Sequence, residues 1–305
     1  MKEKIKNLKK EKNAIILAHY YTYPEVQEVA DFVGDSLALS QKVAHTDADI
    51  ILFAGVHFMA ETAKILNPTK KVLIPDLKAG CSLANSCPSD HFEKFLQQYP
   101  DHTVISYINC SAKVKALSDI IVTSGNALKI VQQLPGNEKI VFAPDVHLGN
   151  YINEQTGRKM VLWKGACHVH DQICPGDISQ VKSQHPEAKV LAHPECSKDV
   201  LELADFVGST AAMLKTVTTS EASSFIVVTE KGILHEMQKL NPTKTFFSIS
   251  TNQSNKEDCI CRYMKCNNLE NIYQALLTEQ PEITMEEELM NRARIPIDRM
   301  LQMSK

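Results

Sequence analysis

The sequence has neither a long apolar run nor an excess of one charge. No stretch approaches the length that a bilayer span requires, and the apolar part near the start, AIILA, is too short for the core of a secretion signal. The net charge of −3 gives no argument for a nucleic acid or an anionic membrane as a partner. We therefore expect a soluble, cytoplasmic protein that binds neither.

The sequence also contains no C-x-x-C pair, although it has nine cysteines among its 305 residues. Zinc ribbons, thioredoxin-like redox pairs and ferredoxin-type clusters use closely spaced cysteines, so this absence argues against all three. In a reducing compartment the nine thiols are not expected to form a disulfide framework. Any metal site must therefore be assembled from distant segments.

What the sequence does contain is an internal repeat. Residues 16–36, 104–124 and 190–210 align without gaps. The shared columns hold His19, Tyr107 and His193; Tyr21, Asn109 and Glu195; Asp31, Asp119 and Asp205; and the hydroxyl residues Ser36, Ser124 and Thr210. One cysteine follows the last apolar run of each copy, and these are Cys81, Cys167 and Cys261. Such a period sets the architecture of the whole chain.

Each copy alternates short apolar runs with helical patterns, as in AIILAHY, PEVQEVA, DFVGD and SLALSQKVA. Continuously apolar runs are typical of strands buried on both faces, and this alternation predicts parallel βαβ units. We expect an α/β fold of three homologous αβα units with small parallel sheets, arranged around a pseudo-threefold axis. The predicted domains are 1–88, 89–176 and 177–305, the last ending in two scaffold helices broken near Ile295-Pro296.

In parallel sheets ligands bind beyond the carboxyl ends of the strands, where the repeated columns fall. The hydroxyl column lies where a strand turns into a helix, which presents free N–H groups to an anion. The alternative is that Ser36, Ser124 and Thr210 are only helix N-caps. Because their register recurs in all three copies, we favour a substrate role.

The three recurring cysteines suggest a site with one open metal position. Three thiolates suit an iron–sulfur cluster with one iron left uncapped, or a catalytic zinc with water as fourth ligand. Cys110 and Cys196 share another column and are expected to be buried core residues. His168 and His170 flank Cys167, which makes them candidates for supporting roles.

Taken together, these motifs resemble the quinolinate synthase family. The matching elements run nearly end to end and include LAHYY, ADFVGDSL, FAGVHFMAE, TSGNA, LAHPEC and DFVGSTA, with the segments around the three cysteines. The family often has Pro or Ile after the second ligand cysteine, where this chain has His168, and Cys259 and Cys266 flank Cys261.

The resemblance implies a [4Fe-4S] cluster held by Cys81, Cys167 and Cys261, with one open iron as a Lewis acid. It implies condensation of iminosuccinate (iminoaspartate) with dihydroxyacetone phosphate to quinolinate in de novo NAD biosynthesis, with release of phosphate and water. An aspartate oxidase or dehydrogenase would supply the imine.

The resemblance also assigns residues. The substrate-binding positions are His19, Ser36, Tyr107, Asn109, Ser124, His193, Glu195 and Thr210, and the candidate catalytic residues are Tyr21, Glu195 and His19. Two rival functions remain for the same three-cysteine site. One is a zinc-dependent hydrolase or lyase, and the other is a non-catalytic iron–sulfur sensor of redox state or metabolites.

Overall fold

The computed structural model describes residues 1–250 and 259–305. Its strands form separate four-stranded sheets that are parallel throughout. The first sheet belongs to the element series α1 (Lys2–Glu11), β1 (Ala14–His19), α2 (Pro24–Val29), β2 (Phe32–Gly34), α3 (Ser36–Val43), β3 (Ile50–Ala54), α4 (His57–Leu66), β4 (Lys71–Leu73) and α5 (Ser82–Asn85).

The second and third sheets follow the same plan. The second series is α6 (Ser89–Leu96), β5 (Thr103–Tyr107), α7 (Ala112–Lys115), β6 (Ile120–Val122), α8 (Ala127–Gln133), β7 (Ile140–Ala143), α9 (Val146–Thr156), β8 (Val161–Leu162) and α10 (His168–Asp171). The third is α11 (Pro175–Gln184), β9 (Lys189–Ala192), α12 (Lys198–Leu201), β10 (Phe206–Val207), α13 (Thr210–Thr219), β11 (Ser224–Val228), α14 (Ile233–Leu240) and β12 (Thr245–Ser248).

Strand order is the same in the three sheets: β2-β1-β3-β4, β6-β5-β7-β8 and β10-β9-β11-β12. The predicted α/β fold of three similar αβα units is therefore confirmed. Strands β7 and β11 end where their apolar runs end, at Ala143 and Val228, so the polar residues Asp145 and Glu230 lie just beyond the strand ends. The pseudo-threefold axis and the domain boundaries stay predictions.

The aspartate column of the repeat has a structural role. The side chains of Asp31, Asp119 and Asp205 accept hydrogen bonds from the backbone N–H of Ile16, Val104 and Val190, at 2.8, 2.7 and 2.8 Å. Each carboxylate thus satisfies an N–H of the central strand, while its own backbone N–H donates to the same residue. This repeated contact fixes where each central strand lies, and so where its carboxyl end presents side chains.

The C-terminal helices are α15 (Leu269–Thr278) and α16 (Glu287–Met303), and the predicted break at Pro296 is wrong. Helix α16 runs through Pro296, and the chain leaves helical conformation between the two helices, where Glu279 has a φ of 54°. Proline removes one N–H from the helix, but Ala293, Ile297 and Met300 around it are buried, so tertiary packing holds the helix together.

These helices join the first two units. Helix α15 packs against α1 and β3, and α16 packs against α4, α7 and β6. The scaffold role predicted for this tail is consistent with these contacts. No helix in residues 1–250 or 259–305 is both long enough and apolar enough to cross a membrane.

Candidate active site

A single cavity lies where the carboxyl ends of the central strands of all three sheets meet. It contains about 680 Å³ free of protein atoms, including the part open to solvent, and it is narrow. Every predicted site residue lines it: His19, Tyr21, Ser36, Cys81, Tyr107, Asn109, Ser124, Cys167, His193, Glu195, Thr210 and Cys261.

Two imidazoles of the first repeat column occupy matching positions in the first and third units. Nδ1 of His19 accepts the backbone N–H of Tyr21 at 3.1 Å, and Nδ1 of His193 accepts that of Glu195 at 3.3 Å. Burial lowers the pKa of both histidines to about 3, with a smaller contribution from His193 to the shift of His19. Both rings are therefore neutral, and each carries its proton on Nε2.

Glu195 is at the centre of a buried polar cluster. Tyr107 donates its hydroxyl to Oε1 at 2.5 Å, and Nδ1 of His170 lies 2.8 Å from Oε2. Burial raises the pKa of this carboxyl, but its interactions with His170 and His193 and the hydrogen bonds from His170 and Tyr107 outweigh burial and lower the pKa to about 2. Glu195 is therefore an ionised hydrogen-bond acceptor inside a buried polar cluster.

Hydrogen bonds hold Tyr21 at both its hydroxyl and its backbone carbonyl. Its hydroxyl lies 2.6 Å from Oγ1 of Thr229, and its carbonyl accepts from Nζ of Lys265 at 2.6 Å. Burial is the main cause that raises the pKa of Tyr21 well above its ordinary value, so the phenol keeps its proton. Tyr21 therefore presents an O–H group, not a phenolate, to the cavity.

The hydroxyl column is not used for helix capping, so the N-cap alternative is wrong. Asp35 caps α3 and Ser209 caps α13, each by accepting a backbone N–H, while Ser36 and Thr210 begin those helices. Helix α8 has Asn126 at its N-cap position, two residues after Ser124. The repeated hydroxyls stand one or two residues from the caps and line the cavity.

Two further polar side chains on the cavity wall are placed to bind a ligand. Ser124 Oγ lies 3.3 Å from Nε2 of His193, across the boundary between the second and third units. Oδ1 of Asn109 is buried and has no hydrogen-bond partner within the part of the chain that the structure describes. A buried amide oxygen without a donor is costly, so it is suited to accept one from a bound molecule.

The three repeated cysteines come from three separate segments and line the same cavity. Cys81 immediately precedes α5, and Cys167 immediately precedes α10. Burial raises the pKa of Cys81 to about 12 and that of Cys261 to about 11, and it raises the pKa of Cys167 well above its ordinary value. Without a metal they are neutral thiols, and metal binding has to release their protons.

The donor set fits an iron–sulfur cluster with one iron not bound by cysteine. Three soft sulfur donors face one space, and no fourth cysteine of the described residues lines it. The cavity also offers a smaller mixed donor set, because atoms of Cys167, His170 and Glu195 lie within 4.8 Å of one another. One sulfur, one nitrogen and one oxygen are donors that a zinc ion accepts.

The prediction that Cys110 and Cys196 are buried core residues is confirmed, and three other cysteines also lie away from the cavity. Cys110 and Cys196 are completely buried in the apolar core. Cys87 and Cys259 are buried as well, whereas Cys174 is exposed on the surface. None of these five is among the cavity-lining residues.

Sequence reasoning did not single out several residues around the cavity. Thr229 bonds to both Tyr21 and His170, the latter at 2.8 Å from Nε2. Asp145 and Glu230 are fully buried and occupy equivalent positions just beyond β7 and β11, judged by the strand register. That register is the signal that would have found the two carboxylates, because both follow the third strand of their copy.

Comparison with known proteins gives a consistent result. Residues 3–302 match the family described as "Quinolinate synthetase A protein". The chain is 58% identical over 300 residues to the quinolinate synthase of Synechocystis sp., covering 98% of this chain and 94% of that protein. It is 56% identical over 300 residues to the enzyme of Thermosynechococcus vestitus, with the same coverage. It is 54% identical over 306 residues to that of Chloroherpeton thalassium, covering 99% of this chain and 94% of that protein.

Proposed function

The chain belongs to the quinolinate synthetase A family, and we propose that it is a quinolinate synthase of NAD biosynthesis. The observation that carries this proposal is the cavity. All twelve residues selected from the repeat and the family resemblance line one narrow space.

We propose that the reaction is the condensation of iminosuccinate with dihydroxyacetone phosphate, which releases phosphate and water and closes the pyridine ring. Both substrates are small and anionic, and a narrow cavity with several hydrogen-bonding side chains on its wall suits them. An aspartate oxidase or dehydrogenase would supply the imine, and the cytoplasmic location remains a prediction.

The residues that would hold a [4Fe-4S] cluster are Cys81, Cys167 and Cys261. When bound, such a cluster supplies a Lewis acid at its iron without a cysteine ligand, which favours loss of water from a substrate. The proposal is supported by three buried sulfurs from three segments and by the resemblance around each of them.

Substrate anions would be bound by neutral donors. None of the described residues that line the cavity is Lys or Arg. The available donors are the Nε2–H groups of His19 and His193, the amide of Asn109, and the hydroxyls of Ser36, Ser124 and Thr210 at or near helix starts. Such donors would orient carboxylates and phosphate through directional hydrogen bonds, which brings the reacting carbons together.

Two residues are placed for proton transfer. Glu195 is ionised and accepts a hydrogen bond from Tyr107, so it can take a proton from carbon or nitrogen of the bound intermediate. Tyr21 keeps its O–H and can return a proton to a leaving oxygen. Enolisation of the triose and loss of water each require one acceptor and one donor, which these residues supply.

The experiment that tests the proposed function is anaerobic purification, an absorption spectrum, and incubation with both substrates. We expect a brown protein with iron and acid-labile sulfide that forms quinolinate. The mixed group of Cys167, His170 and Glu195 favours a second candidate, a zinc-dependent enzyme. Stoichiometric zinc, no iron and no quinolinate would overturn the first function in favour of the second.

A further inference from the structure

The turn that carries Tyr21 is held by a side chain outside the cavity. Nε2 of Gln27 donates to the carbonyls on both sides of Tyr21, at 2.8 Å to Tyr20 and 3.0 Å to Thr22. It also lies 3.0 Å from the carbonyl of Gly232 in the third unit. The Gln27 side chain is buried, so these carbonyls have no water to replace it.

The turn that carries Asn109 is held in the same way by an amine. Nζ of Lys115 donates to the carbonyls on both sides of Asn109, at 3.0 Å to Ile108 and in a shorter contact to Cys110. The Lys115 side chain is completely buried, and its ammonium lies 5.3 Å from the ring centre of Phe58. A buried lysine is rare, and here its N–H groups face backbone oxygens.

Gln27 and Lys115 occupy the same position of the repeat, and we call it the donor position. The carbonyls that accept from Gln27 and from Lys115 also occupy corresponding positions in the two copies. The third copy has Leu201 at this position, and its turn contains Pro194, whose ring restricts the backbone directly. Two different side chains thus supply one physical property, an N–H donor, where the turn has no proline.

From this correspondence we infer that Gln27 and Lys115 are positioning residues, which hold the Tyr21 and Asn109 turns in the geometry required for the reaction. The expected changes in kcat and KM rest on the proposed function, whereas the expected loosening of the two turns does not. Gln27 acts as a donor only, because its Oε1 has no hydrogen-bond partner within residues 1–250 and 259–305.

The two turns carry residues with different roles, so the two positioning residues should have different kinetic effects. Gln27→Met and Lys115→Met keep an unbranched side chain of similar size but remove the N–H donors. The first change takes the side-chain donor from the carbonyls of Tyr20 and Thr22, and the second takes it from the carbonyl of Cys110. Gln27→Met should lower kcat about tenfold or more with a smaller change in KM, because it displaces Tyr21. Lys115→Met should mainly raise KM, because Asn109 contacts substrate. If the two residues only supported folding, both variants would contain less active enzyme, and the kcat and KM of that active enzyme would match wild type.

The exchange of donors between the copies provides the matched test. Gln27→Lys and Lys115→Gln each place the donor of one copy into the other and should keep kcat and KM within about threefold of wild type. Leu201→Met, at the same position in the copy without a donor, is the control and should leave both constants unchanged. All variants are compared anaerobically, with rates expressed per cluster from iron content.

Amide hydrogen exchange of peptides covering 19–23 and 107–111 gives a second readout that needs no activity. The Met variants should exchange faster in the affected turn alone, and the donor swaps should restore wild-type protection. Wild-type protein that forms no quinolinate would refute the proposed function, while this exchange pattern would still decide the inference. Met variants that match wild type in both readouts would overturn it. So would swaps that are folded but as impaired as the Met variants, or swaps that fail to fold.

Discussion

The hydroxyl of Tyr107 lies 2.5 Å from Oε1 of Glu195, a contact between the second and third repeat units. The two residues come from different columns, since Tyr107 ends its central strand and Glu195 lies two residues beyond the equivalent end. The contact therefore depends on how the units meet, and it places an ionised carboxylate at their junction.

Glu195→Gln should lower kcat about 10²- to 10⁴-fold, because the amide cannot accept a proton from the intermediate. Iron and sulfide content should stay at the wild-type level, since the change keeps the shape of the side chain. Anaerobic assays of quinolinate, normalised to iron, measure the effect. Glu202→Gln, an exposed change in the same unit, is the control; normal turnover by the Glu195 variant would show that this assignment is wrong.

Cys81→Ser and Cys261→Ser should each lose most of the iron and sulfide, because both sulfurs face the cavity. Cys174→Ser should retain them, since Cys174 is exposed and away from the cavity. Metal and sulfide analysis after anaerobic purification gives the answer. If the Cys81 and Cys261 variants keep their metal while His170→Asn loses it, the mixed Cys167, His170 and Glu195 group is the metal site instead.

Tyr21→Phe should lower kcat about tenfold or more with little change in the melting temperature, because it removes one O–H and leaves the buried ring. Thr229→Val removes the partner of that hydroxyl and of Nε2 of His170 but leaves the O–H of Tyr21 in place, so it should have a smaller effect. Equal kcat values for wild type and the Tyr21 variant would exclude Tyr21 as a proton donor.

The buried histidines should make stability fall as the pH is lowered from about 6.5 towards 3. His19 and His193 have folded-state pKa values of about 3 against 6.5 when unperturbed, so the unfolded chain binds more protons in this window. Thermal unfolding at pH 7 and pH 5 measures the difference in melting temperature. His193→Asn should reduce this difference and the exposed His91→Asn should not; the same pH dependence in all three proteins would contradict the prediction.

Asp119→Ala should lower the free energy of unfolding by about 1–3 kcal/mol, because it leaves the backbone N–H of Val104 without its acceptor. Chemical denaturation measures the change, and the exposed Asp101→Ala serves as the control. A change below about 0.5 kcal/mol would show that the aspartate column does not stabilise the strands.

The repeat predicts the units and the residues that line the cavity, because sheet order follows from the βαβ pattern and ligands bind at carboxyl ends. It does not predict which side chains bond to each other, as between His170 and Glu195, since those contacts depend on how separate units pack. The helix N-caps lie one residue before or two residues after the repeated hydroxyls, because neighbouring polar side chains such as Asp35 and Ser36 are both able to cap. The helix through Pro296 was missed because burial on its apolar side outweighs one lost hydrogen bond.

Covalent linkage of the three copies gives the cavity a chemical asymmetry that a homotrimer of one unit would not have. Three identical subunits would supply the same side chain three times at every position. In the fused chain one position has kept cysteine in every copy, while another has diverged into a phenol, an amide and a carboxylate at Tyr21, Asn109 and Glu195. Triplication thus combines a uniform sulfur set with three different polar groups around a single cavity.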